Sequence, residues 1–312
     1  MWQSLFDLDL DAQARKSARS ALTRKILGTI IRRMVNVGSD PLVRAKIHGA
    51  EMILPISHML PRYVALHPYY DTALPALAKF LLDQLPANQA LSVIDVGANV
   101  GDTAVLIAHA CGKDHVRITC IEADKAYLPL LRENTKDLKV TVYEAIAAAE
   151  TNEVNADIVR AGGTSSVVAG GNKHRAIKLD DLTETSTANL IKIDTDGFEY
   201  EVIRGLRRTL AERGPMIFLE FAPTYLRDYG QIDPILVLRL LIESGFTQAI
   251  IWDHTGYPMM TTELRSDVIE GLTSYCLIKP GFYIDILVSK DSAPLRQFYE
   301  HDLKRYSPVE KH

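Results

Sequence analysis

The residues best placed to do chemistry in this chain form one short turn after a mostly apolar run at residues 91–96. An acid, two glycines and an asparagine occupy alternate positions there: Asp95, Gly97, Asn99 and Gly101. Glycine has no Cβ, so backbone at such positions can approach a ligand closely and adopt a positive φ. In doubly wound α/β sheets, ligands bind in the crevice at the carboxyl ends of the strands. The turn therefore predicts a small-molecule site.

The spacing of this turn differs from the dinucleotide fingerprint Gly-x-Gly-x-x-Gly. Three residues separate Gly97 from Gly101, and Asp102 follows directly. An acid at a helix N-terminus repels a phosphate and already neutralises the positive end of the helix dipole. The turn therefore favours a ligand that carries positive charge. Nicotinamide-dependent oxidoreduction remains an alternative, weakened by the missing third glycine.

A second acid, Glu122, reinforces this interpretation. It ends the next strand-like run, residues 116–121, and follows Asp95 by 27 positions. A carboxylate at that place can accept hydrogen bonds from both hydroxyls of a ribose. The pair of signals predicts a nucleoside-containing ligand more specifically than either signal does alone.

Further acids follow two later strands and suggest catalysis. Asp194 and Asp196 come after the apolar run at residues 190–193, and Glu220 ends the run at residues 216–221. Carboxylates at adjacent strand ends can remove a proton from a hydroxyl, or can ligate a hard cation such as Mg²⁺. His174, in a long interval between strands, is a rival base. No cluster has zinc spacing, so we assign no metal ligands.

Strand and helix signals alternate from residue 91 onward, which predicts an α/β fold with a mostly parallel sheet and helices on both faces. We predict strands at residues 92–96, 116–121, 140–146, 190–193, 216–221 and 247–251, and a terminal hairpin pairing 274–278 with 283–288. We predict helices at residues 102–110, 125–134, 198–210 and 234–244. The Gly-rich interval between the third strand and Leu190 contains no clear helix, so we expect a mobile or functional loop there.

The flanking segments indicate three parts: an N-terminal extension over 1–88, the α/β domain over 89–290 and a C-terminal tail over 291–312. The extension should hold a hairpin at 43–47 and 52–54 and a helix that begins at Asp71 or Thr72. Three aromatic residues before that helix have two alternative roles, covering the ligand or packing at the start of the helix: His67, Tyr69 and Tyr70. The extension is a candidate for substrate or oligomer contacts.

Composition narrows the functional class. The 312 residues are 47% hydrophobic and 24% charged, with a net charge of −4. A chain whose role is nucleic-acid binding is usually basic, so we expect no such partner. Its start lacks the basic region of a signal peptide, and no run of about 20 apolar residues is present, so we expect a soluble, cytoplasmic protein with reduced cysteines. Residues 12–39 carry seven basic residues and no acid, which predicts a helix that docks on the protein or contacts an anionic membrane.

Taken together, these motifs resemble the FkbM-type S-adenosylmethionine-dependent methyltransferases of class I. The resemblance rests on the turn at 95–102, Glu122, Thr164-Ser165-Ser166, Leu179-Asp180-Asp181-Leu182 and the run at 191–199. It implies a Rossmann-like, seven-stranded sheet and methylation of a hydroxyl, generally of a sugar or polyketide. It also implies contacts for the cofactor: Asp95, Gly97, Asn99 and Gly101 for its methionine part, Glu122 for the ribose, Ala145 and Ile146 for the adenine, with Ser165 nearby.

One departure from the family concerns the acids. Where the family more often has Asp-Val-Glu-Gly, this chain has Asp194-Thr195-Asp196-Gly197, so the second acid is one methylene shorter. We expect Asp194 or Asp196 to be the base or polar anchor, and Glu220 to orient a sugar or glycan hydroxyl. A divalent cation and a homo-oligomer are further possibilities.

Two other functions fit parts of the sequence. Asp194-Thr195-Asp196 is also the Asp-x-Asp of metal-dependent glycosyltransferases, although the Gly-rich turn does not suit that class. A non-catalytic module that binds the cofactor and tethers partners through residues 12–39 is the non-enzyme alternative.

Overall fold

The computed structural model describes residues 40–279 and 281–306, without the side chain of residue 161. The predicted basic helix at residues 12–39 lies outside this part, so its membrane contact stays a prediction. Within the described residues, none of the helices is long and apolar enough to span a membrane.

The strands, in chain order, are β1 (Leu42–Ile47), β2 (Ala50–Pro55), β3 (Leu91–Val96), β4 (Val116–Glu122), β5 (Val140–Glu144), β6 (Ile146–Ala148), β7 (Asn152–Ala161), β8 (Thr164–Ala169), β9 (Asn172–Lys178), β10 (Leu190–Ile193), β11 (Met216–Phe221), β12 (Gln248–Asp253), β13 (Pro258–Glu263) and β14 (Ile284–Ser289). The α-helices are α1 (Leu60–Leu66), α2 (Ala73–Gln84), α3 (Asp102–Cys111), α4 (Leu128–Thr135), α5 (Glu199–Arg204), α6 (Arg207–Glu212), α7 (Pro223–Asp228), α8 (Ile235–Glu243), α9 (Ser266–Ile278) and α10 (Ser292–Leu303). Short 3₁₀ turns cover Leu179–Asp181, Thr183–Thr187 and Lys304–Tyr306.

The main sheet has the order β13-β12-β14-β11-β10-β3-β4-β5. The five strands from β11 to β5 are parallel, and β14 inserts antiparallel between β11 and β12. This confirms the Rossmann-like α/β fold. The sheet has eight strands rather than the predicted seven, because β13 folds back antiparallel on β12 at the edge.

The predicted terminal hairpin is wrong. Residues 274–278 are the end of α9, and β14 pairs instead with β11 and β12. Ile269, Leu272 and Cys276 are buried at spacings of three and four, which is the period of a helix. The short alternation at the end of this segment is therefore overridden by the longer helical pattern.

The single helix predicted at residues 198–210 is two helices, α5 and α6. They are separated at Gly205 and Leu206. A Cβ on Gly205 would lie 2.2 Å from the carbonyl oxygen of Ala148, so the chain passes β6 in close contact at the break.

The interval predicted as a loop is a second sheet with the order β6-β9-β7-β8. β7 and β8 form a hairpin, and Gly162 and Gly163 make its two-residue turn with φ values of 65° and 103°. Both φ values are positive, as a tight hairpin turn of the type I′ class requires. The sequence does not predict β8 and β9, because polar residues fill the start of each strand and no regular alternation of apolar and polar residues reveals a period of two.

The flanking segments pack on the main sheet. The predicted hairpin at 43–47 and 52–54 is confirmed as β1 and β2, whose Ile47 and Leu54 share a core with Val100 and Leu106. Residues 292–303, predicted as tail, form α10, whose buried Phe298 contacts Phe80 of α2 with ring centroids 5.4 Å apart. Thr72 precedes α2, but its hydroxyl donates to the Tyr69 carbonyl instead of capping the helix.

Candidate functional site

A cavity of about 220 Å³ lies at the carboxyl ends of β3, β4, β10 and β11. We call one side of it the glycine-turn end, lined by Gly97, Asn99, Glu122, Ala123, Ala145, Ile146 and Ala147. We call the other side the acid end, lined by Tyr70, Asp71, Lys192, Asp194, Asp196, Glu220, Tyr283 and Asp285. The sheet order places the two ends side by side, since β10 adjoins β3.

The glycine turn can form only with glycine at its first position. Gly97 has a φ of 80°, and a Cβ there would lie 1.7 Å from the Asp194 carbonyl oxygen. The backbone amides of Gly97 and Ala98 both donate to the Ile121 carbonyl, at 3.0 and 3.1 Å. The turn therefore packs tightly against the ends of both neighbouring strands and leaves its outer surface to the cavity.

Glu122 lines the cavity beside this turn with a fixed carboxylate. One oxygen accepts a hydrogen bond from the Asn99 backbone amide at 2.7 Å, and the other accepts one from the Asp124 amide at 2.6 Å. Burial raises the pKa of Glu122 to about 7. Each oxygen keeps a lone pair, so the carboxylate is oriented to bind paired hydroxyls.

At the acid end, Lys192 supplies positive charge. Its Nζ lies 2.9 Å from Asp194 Oδ2 and 3.5 Å from Asp95 Oδ1. Burial by itself lowers the pKa of Lys192, but Asp194 and Asp95 together hold it well above its ordinary value. Asp95 is fully buried, its one charged contact among the described residues is this long ion pair with Lys192, and burial raises its pKa to about 6.

Three carboxylates converge on this end of the cavity. Oxygens of Asp194, Asp196 and Glu220 lie within 4.8 Å of one another. Burial, followed by the charge of Asp194, raises the pKa of Asp196 to about 8 and that of Glu220 well above its ordinary value. The set can accept protons or hold a hard cation, and Lys192 already contacts one of its members.

The N-terminal residues complete the acid end. The hydroxyls of Tyr70 and Tyr283 lie 3.2 Å apart, and the ring of Tyr63 stacks on that of Tyr70 at 5.1 Å.

Asp285 is the direct cross-strand partner of Glu220, and burial raises its pKa to about 8. Sequence reasoning missed Asp285, Tyr283 and Asp71. The insertion of β14 beside β11 brings the first two here, and no local motif signals that insertion.

The structure brings most of the predicted cofactor residues to the cavity wall: Gly97, Asn99, Glu122, Ala145, Ile146 and Ser165. Asp95 and Gly101 are not among the lining residues. Tyr69 and Tyr70 line the cavity, while His67 does not.

The predicted catalytic residues separate into two groups. Asp194, Asp196 and Glu220 line the cavity. His174 lies on β9 opposite Val154 and is not among the lining residues, so the structure does not bring it to the three acids. Glu199 is buried and accepts hydrogen bonds from the Thr195 and Gly197 amides, which holds the turn that carries Asp196.

Similar folds occur among solved structures of methyltransferases. Methyltransferase FkbM from Methylobacillus flagellatus KT is 20% identical over 59% of this chain and 47% of its own, with a TM-score of 0.36. Precorrin-6y C5,15-methyltransferase from Geobacter metallireducens GS-15 is 17% identical over 71% and 88%, with a TM-score of 0.38. TYW2 from P. horikoshii, in complex with MeSAdo, is 14% identical over 81% and 74%, with a TM-score of 0.41. The match thus spans about half the length of the first of these chains.

The sequence is also similar to one protein family. No curated protein matches the chain. The family model for the methyltransferase FkbM domain matches residues 95–246, from the glycine turn through β10 and β11 to the end of α8. That range contains the glycine turn, Glu122, the three converging acids and Lys192. Residues 95–246 are therefore similar to the methyltransferase domain of the FkbM family.

Proposed function

We propose that this protein transfers the methyl group of S-adenosylmethionine to a hydroxyl of a sugar or glycan. The observation that carries the proposal is the convergence of Asp194, Asp196 and Glu220 next to the glycine turn, within one cavity. Proton-accepting groups at that position suit an oxygen nucleophile, because a hydroxyl must lose its proton as it is alkylated.

The residues present fit the cofactor. Asn99 lines the cavity, and its Oδ1 is buried without a hydrogen-bond partner among the described residues, so it is an available acceptor for the ammonium group. Glu122 would bind the ribose hydroxyls, and Ala145 and Ile146 would border the adenine. When bound, the cofactor supplies an electrophilic methyl group on a sulfonium.

The chain's own residues would align the acceptor and move its proton. As the new C–O bond forms and the S–C bond breaks, the hydroxyl proton passes to a carboxylate, for which we propose Asp194. The Lys192 ammonium at 2.9 Å stabilises the negative charge that Asp194 needs to act as a base. Asp196, with a raised pKa, and Glu220 would hydrogen-bond the acceptor and fix the line of attack.

The sugar class is proposed from the chemistry of the cavity wall. Tyr63 and Tyr225 line it and are 38% and 37% exposed, so the ring surfaces that do not pack on Tyr70 and Tyr229 are available to the apolar C–H face of a sugar ring. Carboxylates accept hydrogen bonds from hydroxyls, and charge-assisted bonds of this kind are strong. A ring with several hydroxyls uses both kinds of surface.

A divalent cation is a second, separable component of the proposal. Asp194, Asp196 and Glu220 are oxygen donors of the type that Mg²⁺ prefers. Turnover that is lost in EDTA and restored by Mg²⁺ would show that a cation takes part. Unchanged turnover in EDTA would leave Lys192 as the positive charge on Asp194.

The experiment is thermal unfolding with S-adenosylmethionine, S-adenosylhomocysteine, NAD, or a uridine-diphosphate sugar plus Mn²⁺ in separate samples. A ligand at 100 times its Kd stabilises the fold by about 2.7 kcal/mol, which raises the Tm by on the order of 5 °C for a chain of this size. We expect the shift with the two sulfur nucleosides alone. A shift only with NAD or the sugar nucleotide would refute the cofactor assignment and support one of the alternative functions.

Acceptor identity then requires a screen. Incubation with S-adenosylmethionine carrying a labelled methyl group and a panel of sugars, polyketide alcohols and amines should label a sugar hydroxyl in a base-stable product. Labelling confined to amines or to non-sugar alcohols would contradict the proposed acceptor class. If no acceptor in a broad panel leads to formation of S-adenosylhomocysteine, the non-catalytic binding module would be favoured.

A further inference from the structure

The tip of the β7–β8 hairpin forms part of the cavity wall. Gly162, Gly163, Thr164 and Ser165 all line it, together with Ile158 and Val167 from the two strands behind the tip. The hairpin belongs to the smaller sheet, so its position over the cavity has to be fixed by contacts other than the pairing of the main sheet.

Two side-chain contacts join this hairpin to the residues around Glu122. Arg160, at the end of β7, makes a two-pronged ion pair with Asp124, with N–O distances of 2.5 Å. Asn99 donates from Nδ2 to the Gly163 carbonyl oxygen at 2.7 Å. Asp124 is fully buried, so this ion pair is shielded from water on the carboxylate side.

Asp124 and Asn99, the two residues that contact the hairpin, also hold the Glu122 carboxylate. The backbone amide of Asp124 donates to Glu122 Oε1 at 2.6 Å, and that of Asn99 donates to Oε2 at 2.7 Å. The contacts therefore close into a ring that leaves the hairpin at Arg160, passes through Asp124, Glu122 and Asn99, and returns to the hairpin at Gly163. Glu122 is the middle residue of this path, and each contact between two of its residues is a hydrogen bond or an ion pair.

We propose that Arg160 is a positioning residue for the nucleoside site: through Asp124 it fixes the orientation of the Glu122 carboxylate and holds the hairpin tip above it. This inference rests on the proposed function, since it gives Glu122 the role of binding the ribose. A planar guanidinium suits the task because it engages both oxygens of Asp124 at once, which a lysine ammonium cannot do with the same geometry.

Gly163 provides the other fixed point of the ring. It has a φ of 103°, and a Cβ there would lie 2.9 Å from Cδ2 of His58, which belongs to the N-terminal residues that line the cavity. The tip is therefore held between Asn99 below and His58 beside it. Any side chain at 163 would have to move His58 or lift the tip away from Asn99.

The test measures the affinity for S-adenosylhomocysteine by calorimetry for Arg160→Gln, for Glu122→Gln and for the double variant. We expect Arg160→Gln to weaken binding by on the order of tenfold, the usual effect of losing a charged hydrogen-bonded partner. In the Glu122→Gln background the same change should cost much less, because the effect of Arg160 passes through Glu122. Arg160→Lys should recover part of the affinity.

Lys173→Gln is the matched control. Lys173 lies on β9 of the same small sheet and pairs with the exposed Glu153, so its loss removes one positive charge without touching the ring. It should leave the affinity within twofold. Hydrogen exchange at residues 161–165 should become faster in Arg160→Gln and stay unchanged in Lys173→Gln.

The outcomes separate the two proposals. If the wild-type protein does not bind S-adenosylhomocysteine, the proposed function fails. If it binds and Arg160→Gln binds equally well, or if the loss is the same with and without Glu122, then Arg160 does not act through Glu122 and the positioning role is overturned.

Discussion

The two ends of the cavity are built by different means. At the glycine-turn end, three consecutive strand ends of the βαβ units supply the wall, and much of the contact surface is backbone held by hydrogen bonds such as those of Gly97 and Ala98 to Ile121. At the acid end, side chains from β10, β11, β14 and the N-terminal residues converge. The comparison shows that a site made of backbone is encoded by local spacing, whereas a site made of side chains depends on which distant segments are packed together.

We expect the largest effect on binding and stability from a substitution at the glycine-turn end, because the cavity wall there is made mostly of backbone. Gly97→Ala would place a Cβ 1.7 Å from the Asp194 carbonyl oxygen and force a positive φ on alanine. We expect loss of S-adenosylhomocysteine binding by more than about 100-fold and a destabilisation of about 3 kcal/mol or more, measured by calorimetry and by urea unfolding. Gly171→Ala is the control, since no atom lies within 4 Å of its added Cβ. Equal behaviour of the two variants would contradict the close packing of this turn.

At the acid end the cavity wall is made of side chains, so a substitution there should lower turnover without lowering cofactor affinity. Asp194→Asn removes the proposed base but leaves the turn intact, so kcat should fall by about 10²- to 10⁴-fold with S-adenosylhomocysteine affinity unchanged. Asp181→Asn, at an exposed position that bonds Thr151, is the control and should keep full turnover. Normal turnover in Asp194→Asn would assign the proton transfer to another group.

Glu122 predicts a pH dependence specific to the glycine-turn end. Its pKa is about 7 in the ligand-free fold against an ordinary 4.5, so the folded state binds this proton more tightly than the unfolded chain. Its contribution to stability is present below pH 4.5 and is lost as the pH rises through 7. Glu122→Gln should remove this loss, so that from pH 5 to pH 8 its stability should gain on that of the wild type by about 2.5 kcal/mol in urea unfolding. A difference that does not change with pH would place the Glu122 pKa near its ordinary value.

The smallest effect is expected from the N-terminal part of the acid end. Tyr70→Phe removes one hydroxyl of the Tyr70–Tyr283 pair, so the KM for the acceptor should rise by about three- to tenfold, with cofactor affinity unchanged. Tyr275→Phe, on an exposed tyrosine of α9 outside the cavity wall, is the control. If Tyr70→Phe instead lowers the affinity for the cofactor and leaves the acceptor KM unchanged, Tyr70 acts at the glycine-turn end of the cavity.

Local sequence patterns predict the α/β class, most strands of the parallel sheet, the glycine turn and Glu122. These features follow from short-range physics: apolar runs set buried parallel strands, and a position that must pass within contact of the next strand requires glycine. The sequence also predicts that the acids at the ends of β10 and β11 lie together, because neighbouring parallel strands end at the same edge of a sheet.

The other parts of the site depend on long-range packing. β14 inserts beside β11 and sets Asp285 opposite Glu220, while residues 58–75 fold back to add Tyr70 and Asp71. The β7–β8 hairpin, read as a loop, instead forms a sheet whose tip joins Arg160 and Gly163 to the neighbours of Glu122. Each of these contacts joins segments far apart in the chain. Such contacts depend on packing over the whole molecule, and local periodicity or spacing in the sequence cannot predict them.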